Sequence, residues 1–179
     1  MKTAEELFFD FLQGDQHAFE ELVYRFREPL TAFLYRILLN RETAQDVAQD
    51  VFVEVLEKKG FRPKGAFRSW LFAIARHKAI DYIRKNRRTM LFDDVEHLDH
   101  TVGPEEQILA VERRERAGAA LRQLKDDRRM ALLLTAAEGL SYGEAAEVLH
   151  KTPDQIRNLC YRGRQQLRQM MKEVDGGDE

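Results

Sequence analysis

Apolar residues recur with a helical period almost from the start of the chain. Leu7, Phe8, Phe11 and Leu12 form one face behind Thr3-Ala-Glu-Glu6. That tetrapeptide is a capping box, in which a hydroxyl and a carboxylate three residues apart satisfy each other's backbone amides. Gly14-Asp15 stops this helix and starts a second. In it Phe19, Leu22, Val23, Phe26, Leu30, Phe33, Leu34, Ile37 and Leu38 keep the rhythm, and Pro29 predicts a kink or a restart. Asn40 can cap a third helix, whose apolar set Ala44, Val47, Ala48, Val51, Phe52, Val55 and Leu56 follows the i, i+3, i+4, i+7 series. Gly60 is expected to end it, and a loop over 60–65 to follow. A fourth helix runs from about Phe67 to Arg87, with Trp70, Leu71, Ile74, Ala75 and Ile83 facing inward.

The rhythm then lapses. Residues 91–104 show no period and many acids, which reads as a linker. Pro104-Glu-Glu106 suits the first turn of a helix reaching about Leu124. Asp126 or Asp127 opens another, with Met130, Leu133, Leu134 and Ala137 inward and Gly139 at its end. Two more capping boxes follow, Ser141-Tyr-Gly-Glu144 and Thr152-Pro-Asp-Gln155. Proline at the first helical position of the second loses nothing, because that amide has no partner in a helix. No stretch alternates with the strand period. The fold class is therefore all-α: a four-helix N-terminal domain (1–90), an acidic linker (91–104), a second helical domain (105–173) and a tail (174–179).

The 179 residues suit one ordinary domain or two small ones, and four prolines with 34% charged residues suit a helix-rich globular chain. One cysteine excludes an internal disulfide and any cysteine-based zinc site, which points to a reducing cytoplasm. The acidic N-terminus does not read as a signal peptide, and no uncharged apolar run reaches membrane-spanning length, so no membrane insertion is expected. The net charge of −2 conceals segregation. Residues 1–57 hold twelve acids and five bases, 58–90 eleven bases and one acid (Asp81), and 91–116 eight acids and three arginines. The basic segment is a candidate nucleic-acid surface, and the acidic first segment suits a basic protein partner. Solvated helix faces are the plainer alternative, which an eleven-to-one imbalance disfavours.

The two capping boxes near the C-terminus delimit a short helix from Tyr142 to about Leu149, a turn at His150-Lys151 and a second helix. Its inward set is Ile156, Leu159, Cys160, Gly163, Leu167 and Met170. Its other side carries Arg157, Asn158, Tyr161, Arg162, Arg164 and Arg168. This is the pattern of a helix-turn-helix. Arginine bonds guanine edges or phosphates bidentately, asparagine can read adenine, and tyrosine can contact phosphate or a thymine methyl. An αα-hairpin with merely solvated arginines has the same spacing. Two capping boxes and four arginines on one face favour DNA.

The basic segment interleaves charge with rings: Phe61, Arg62, Lys64, Phe67, Arg68, Trp70, Phe72, Arg76, His77, Lys78, Tyr82 and Arg84. Aromatic faces that stack bases beside cations that follow phosphates suit a single strand. Phe67, Trp70 and Leu71 also suit a core, and for Trp70 the core is the favoured reading. One candidate duplex reader and one candidate single-strand binder on one chain fit promoter opening.

His97-Leu-Asp-His100 beside Asp93, Asp94 and Glu96 could ligate a divalent metal. A polar linker is the reading adopted, since nothing holds ligands in geometry there. Cys160, on the apolar side of its helix, reads as a structural thiol. His150 in the turn could meet a phosphate or solvent. No nucleophile–base arrangement, glycine phosphate loop or metal motif appears, so neither an enzyme, nor a cofactor, nor a small-molecule substrate is expected.

Four stretches, in order, carry a resemblance. "GDQHAFEELVYRFREPL" resembles the first conserved region of extracytoplasmic-function sigma factors, and "ETAQDVAQDVFVEVLE" their polymerase-binding helix, with Gln45 in place of the usual acid. "FRSWLFAIARHKAIDYIRKNRR" is similar to their melting and −10-binding region, and "LLLTAAEGLSYGEAAEVLHKTPDQIRNLCYRGRQQLRQMM" to their −35-binding domain. The resemblance covers nearly the whole chain. It implies a cytoplasmic transcription initiation factor that binds core RNA polymerase and promoter DNA and is held in check by an anti-sigma factor, often at the membrane. Asp46, Gln49, Asp50, Phe52, Val53 and Glu54 would meet core polymerase. Phe61, Arg62, Lys64, Phe67, Arg68, Phe72, Arg76, His77 and Arg84 would meet the −10 strand. Arg157, Asn158, Tyr161, Arg162, Arg164 and Arg168 would meet the −35 duplex. The family's −35 helix commonly reads Gly-Thr-Val-Lys-Ser-Arg where this chain has Asp154-Gln-Ile-Arg-Asn-Leu159. Leu124-Lys125 likewise replaces the usual Leu-Pro. An unusual promoter preference is therefore expected from that helix.

Two rivals remain at this point. A helix-turn-helix repressor or activator would bind duplex DNA alone, at palindromic half-sites. A sigma mimic would sequester an anti-sigma factor and support no transcript.

Overall fold

The computed structural model describes residues 1–58, 66–86 and 116–175. The predicted loop at 60–65 with Phe61, Arg62 and Lys64, the linker at 91–104 with His97 and His100, the start of the following helix and the end of the tail lie outside the described residues. The chain divides into two compact units, one of residues 1–96 with 147–150, the other of 97–146 with 151–179. Every regular element among the described residues is helical.

The first unit holds α1 (Ala4–Leu12), α2 (Gln16–Leu38), α3 (Arg41–Glu57) and α4 (Phe67–Asn86). Thr3 Oγ1 accepts from the Glu6 amide at 3.1 Å and Glu6 Oε2 from the Thr3 amide at 2.7 Å, so the first capping box forms as predicted. Gly14, at φ +105°, makes the turn that a side chain would strain. Asp15 then caps α2 through the amides of His17 and Ala18. Leu39, left-handed at φ 59°, closes α2, and Asn40 caps α3 through the Thr43 amide at 2.8 Å.

Helix α2 packs against α1, α3 and α4. It runs through Pro29 as one helix, so of the kink or restart expected there the restart does not occur. A proline inside a helix costs about 3 kcal/mol. The complete burial of Leu22, Leu30, Phe33 and Leu34 on both sides of it, at roughly 1.5–3 kcal/mol each, outweighs that.

Rings fill the space between α1, α2 and α4. Phe8 lies 5.0 Å from Phe67 and 5.3 Å from Trp70, Phe26 lies 5.6 Å from Phe67, and Phe33 meets Phe72 edge-on at 5.1 Å. The Glu5 carboxylate of α1 accepts from the Phe67 amide at 2.9 Å, so a side chain of the first helix caps the fourth.

The later helices are α5 (116–123), α6 (Asp126–Leu132) continued by a π-helical turn (Leu133–Ala137), α7 (Tyr142–Leu149), whose last residues group with the first unit, and α8 (Pro153–Asp175). The π turn shifts the faces that a regular helix would show. Ala137, expected inside, is exposed, while Leu132 and Glu138 are buried. Gly139, at φ +67°, follows, and the Leu140 amide reaches back to the Leu134 carbonyl. Helix α6 packs on α8 at a point where only hydrogen fits: a Cβ on Gly163 would lie 2.8 Å from Leu132 Cδ1. Arg128 Nη1 donates to Gln166 Oε1 across the same seam at 2.7 Å.

Candidate functional site

The helix-turn-helix is built from its caps. Ser141 Oγ accepts from the Glu144 amide at 3.2 Å, and Glu144 Oε2 from the Ser141 amide at 2.8 Å. Helix α7 ends on His150 at φ 52°, with the Lys151 amide bonded to the Ala146 carbonyl and the His150 amide to that of Glu147. This is a Schellman closure with histidine in the position that favours glycine. Two residues later Thr152 and Gln155 exchange bonds of 3.2 and 2.9 Å, and α8 starts on Pro153.

Ile156, Cys160 and Gly163 are the buried seam of α8. The Cys160 thiol is fully buried, 3.3 Å from the Thr135 hydroxyl. Arg157, Asn158, Tyr161, Arg162, Arg164 and Arg168 are all exposed. Two of them have neighbours that hold them. Asp154 Oδ1 lies 3.1 Å from Arg157 Nη1, and the Tyr161 hydroxyl accepts from Gln165 at 2.8 Å. Leu159, expected inside, is only half-buried. It lines an open depression with Lys151, Gln155, Asn158 and Arg162. Periodicity placed it inward because it lies three residues from Ile156, but it sits beside the Ile156–Cys160–Gly163 seam rather than on it.

On α3, Asp46, Gln49, Asp50 and Val53 form one exposed stripe. Phe52 and Glu54, predicted with them, do not. Phe52 is buried in the core, 6.4 Å from Phe19. The Glu54 carboxylate is engaged by Lys58 at 2.6 Å and by Lys78 of α4 at 3.0 Å. Burial raises its pKa, but hydrogen bonds from Lys58 and Lys78 and their charges outweigh that and hold it below the ordinary glutamate range.

On α4 the rings depart from expectation. Phe67 and Phe72 are buried in the core and offer no face for a base, because the aromatic cluster needs them. Trp70, read as core, is half-buried. The cations divide. Arg68 and Arg76 are half-buried, Arg68 lying 5.9 Å from the Phe72 ring centre, whereas His77 and Arg84 are exposed on either side of Asp81, at 3.6 and 3.1 Å. Among the described residues no group of histidine, cysteine and carboxylate could hold a metal.

Comparison with known proteins gives two family matches. The family described as Sigma-70 region 2 matches residues 22–89, and that described as Sigma-70, region 4 matches 114–167. The RNA polymerase sigma-H factor of Pseudomonas aeruginosa is 30% identical over 167 residues, spanning 87% of this chain and 86% of that protein. The ECF RNA polymerase sigma-E factor of Haemophilus influenzae is 29% identical over 167 residues, spanning 87% and 88%. Among solved structures, that of CnrH in complex with the cytosolic domain of CnrY superimposes with a TM-score of 0.75 at 26% identity, covering 96% of this chain and 99% of that one.

Proposed function

Since the chain belongs to the extracytoplasmic-function sigma factors of RNA polymerase, and so acts as an alternative sigma factor directing transcription initiation, we propose a division of labour among its surfaces. Helix α8 enters the major groove of the −35 element and reads it with Arg157, Asn158, Tyr161, Arg162, Arg164 and Arg168. The α3 stripe of Asp46, Gln49, Asp50 and Val53 docks on core polymerase. The outer face of α4, with Arg76, His77 and Arg84, follows the −10 strand together with Phe61, Arg62 and Lys64. In this scheme residues 1–90 form the polymerase and −10 domain and 105–173 the −35 domain.

The observation that carries the proposal is the face of α8. Four arginines and an asparagine stand exposed on a helix whose start is fixed by a reciprocal cap and whose other side is buried. Base edges are read from that geometry, and the arginines add the phosphate attraction on which affinity depends. A protein partner that withholds the factor from polymerase belongs to the same proposal. It is supported by the complex of CnrH with the cytosolic domain of CnrY. No described helix is long and apolar enough to cross a membrane. The factor works on cytoplasmic polymerase and reaches a membrane only through such a partner. A repressor or activator acting without polymerase is not favoured, because the N-terminal half matches sigma region 2.

Run-off transcription with purified core polymerase on a pool of promoters tests the scheme. Specific transcripts are the expected result, and none with active core and no inhibitor present would overturn it. Arg157→Ala should weaken −35 use and leave core binding intact, whereas Asp50→Ala should weaken core binding. Equal loss of core affinity in both would refute the division of surfaces.

A further inference from the structure

Leu159 is out of keeping with its surroundings. The depression it lines is otherwise walled by Lys151, Gln155, Asn158 and Arg162, each a hydrogen-bond donor. Two of the walls are tethered: Gln155 Oε1 accepts from the Thr152 amide at 2.9 Å, and the Lys151 ammonium lies 3.0 Å from Asp127. What remains is an apolar, half-exposed side chain beside two exposed polar ones, Asn158 and Arg162.

The major groove displays donors, acceptors and one apolar group, the 5-methyl of thymine. For a side chain that neither donates nor accepts, that methyl is the favourable partner in the groove. The neighbouring Asn158 suits the adenine that thymine pairs with, because its amide can bond N6 and N7 together. We propose that Leu159 is a specificity-determining residue and that the depression around it receives the methyl of a thymine in the −35 element. This rests on the placement of α8 in the major groove proposed above.

The test removes the methyl and nothing else. The −35 element is first selected from randomised promoters with the holoenzyme, meaning this chain bound to core polymerase. Each thymine of the selected duplex is then replaced singly by deoxyuridine, and affinity is measured at one salt concentration. With the wild-type chain, one replacement should weaken binding about 3- to 5-fold, the worth of one buried methyl. With Leu159→Ala the thymine and uracil duplexes should bind alike. Should Leu159→Ala fail to fold, Leu159→Asn keeps the length and branching, replaces the apolar tip and carries the same comparison. A selected element without an invariant thymine, or a methyl effect that survives loss of the leucine, overturns the proposal. Absence of any specific transcript would instead refute the placement of α8 on which it rests.

Discussion

Asp154 and Arg157 stand one turn apart on α8, with the carboxylate 3.1 Å from the guanidinium and both exposed. The pair puts a negative charge on the face proposed to approach DNA. It also gives a partner to a cation that DNA would otherwise claim. Asp154→Ala should therefore strengthen holoenzyme binding to its promoter several-fold at low salt. It should also cost about 0.5 kcal/mol of stability, since an acid in the first turn favours the helix. Filter binding across a salt series and thermal denaturation would show the two effects moving in opposite directions.

Gly163 meets Leu132 where α8 crosses α6. Valine there would drive two methyl groups into a buried leucine, and overpacking of this kind costs about 1–3 kcal/mol. Gly163→Val should lower the melting temperature of the second unit by several degrees, on the scale of about 4–8 °C per kcal/mol for a small domain. Leu132→Ala in the same chain should recover part of that loss, as calorimetry of the single and double variants would show.

His150 holds a left-handed conformation that a side chain disfavours by roughly 1–2 kcal/mol, in a turn where it is exposed. His150→Gly should therefore raise stability by about 1 kcal/mol and leave promoter affinity unchanged. Unchanged stability with weaker promoter binding would mean that the ring serves DNA instead.

Glu54 ties α3 to α4 through Lys78. Its carboxyl titrates below the ordinary range in the folded chain, so its contribution is complete above that range and fades as pH falls through the lowered value. Glu54→Gln should cost of the order of 0.5–1 kcal/mol at pH 7, as for a partly exposed ion pair. The gap to wild type should narrow below about pH 4. Urea midpoints at pH 7 and pH 3.5 measure both.

The helices were readable in the sequence because their signals are local. Thr3, Asn40, Ser141 and Thr152 each sit at a cap, and the apolar period of α2 and α3 is unbroken. What escaped reading was the outcome of competition between local and tertiary demands. Packing carries α2 through Pro29, and a π turn displaces Ala137 to the surface. The same limit applies at the candidate sites. Arg157 to Arg168 stand where helical spacing placed them. Phe67 and Phe72, given ligands by their basic neighbours and by resemblance, and Phe52, given one by resemblance, are claimed by the core, as the helical period had it for Phe52. An ion pair between helices, such as Glu54 with Lys78, leaves no trace in spacing at all.

The Glu5 carboxylate on the Phe67 amide bears on how this protein can be dissected. The Sigma-70 region 2 match begins at residue 22, beyond α1. A fragment cut at that boundary would leave the start of α4 without its cap and would strip Phe8 from Phe67 and Trp70. The region that the family model matches is thus shorter than the packed unit, and the first helix, outside that match, is part of what keeps the proposed strand-binding helix in shape.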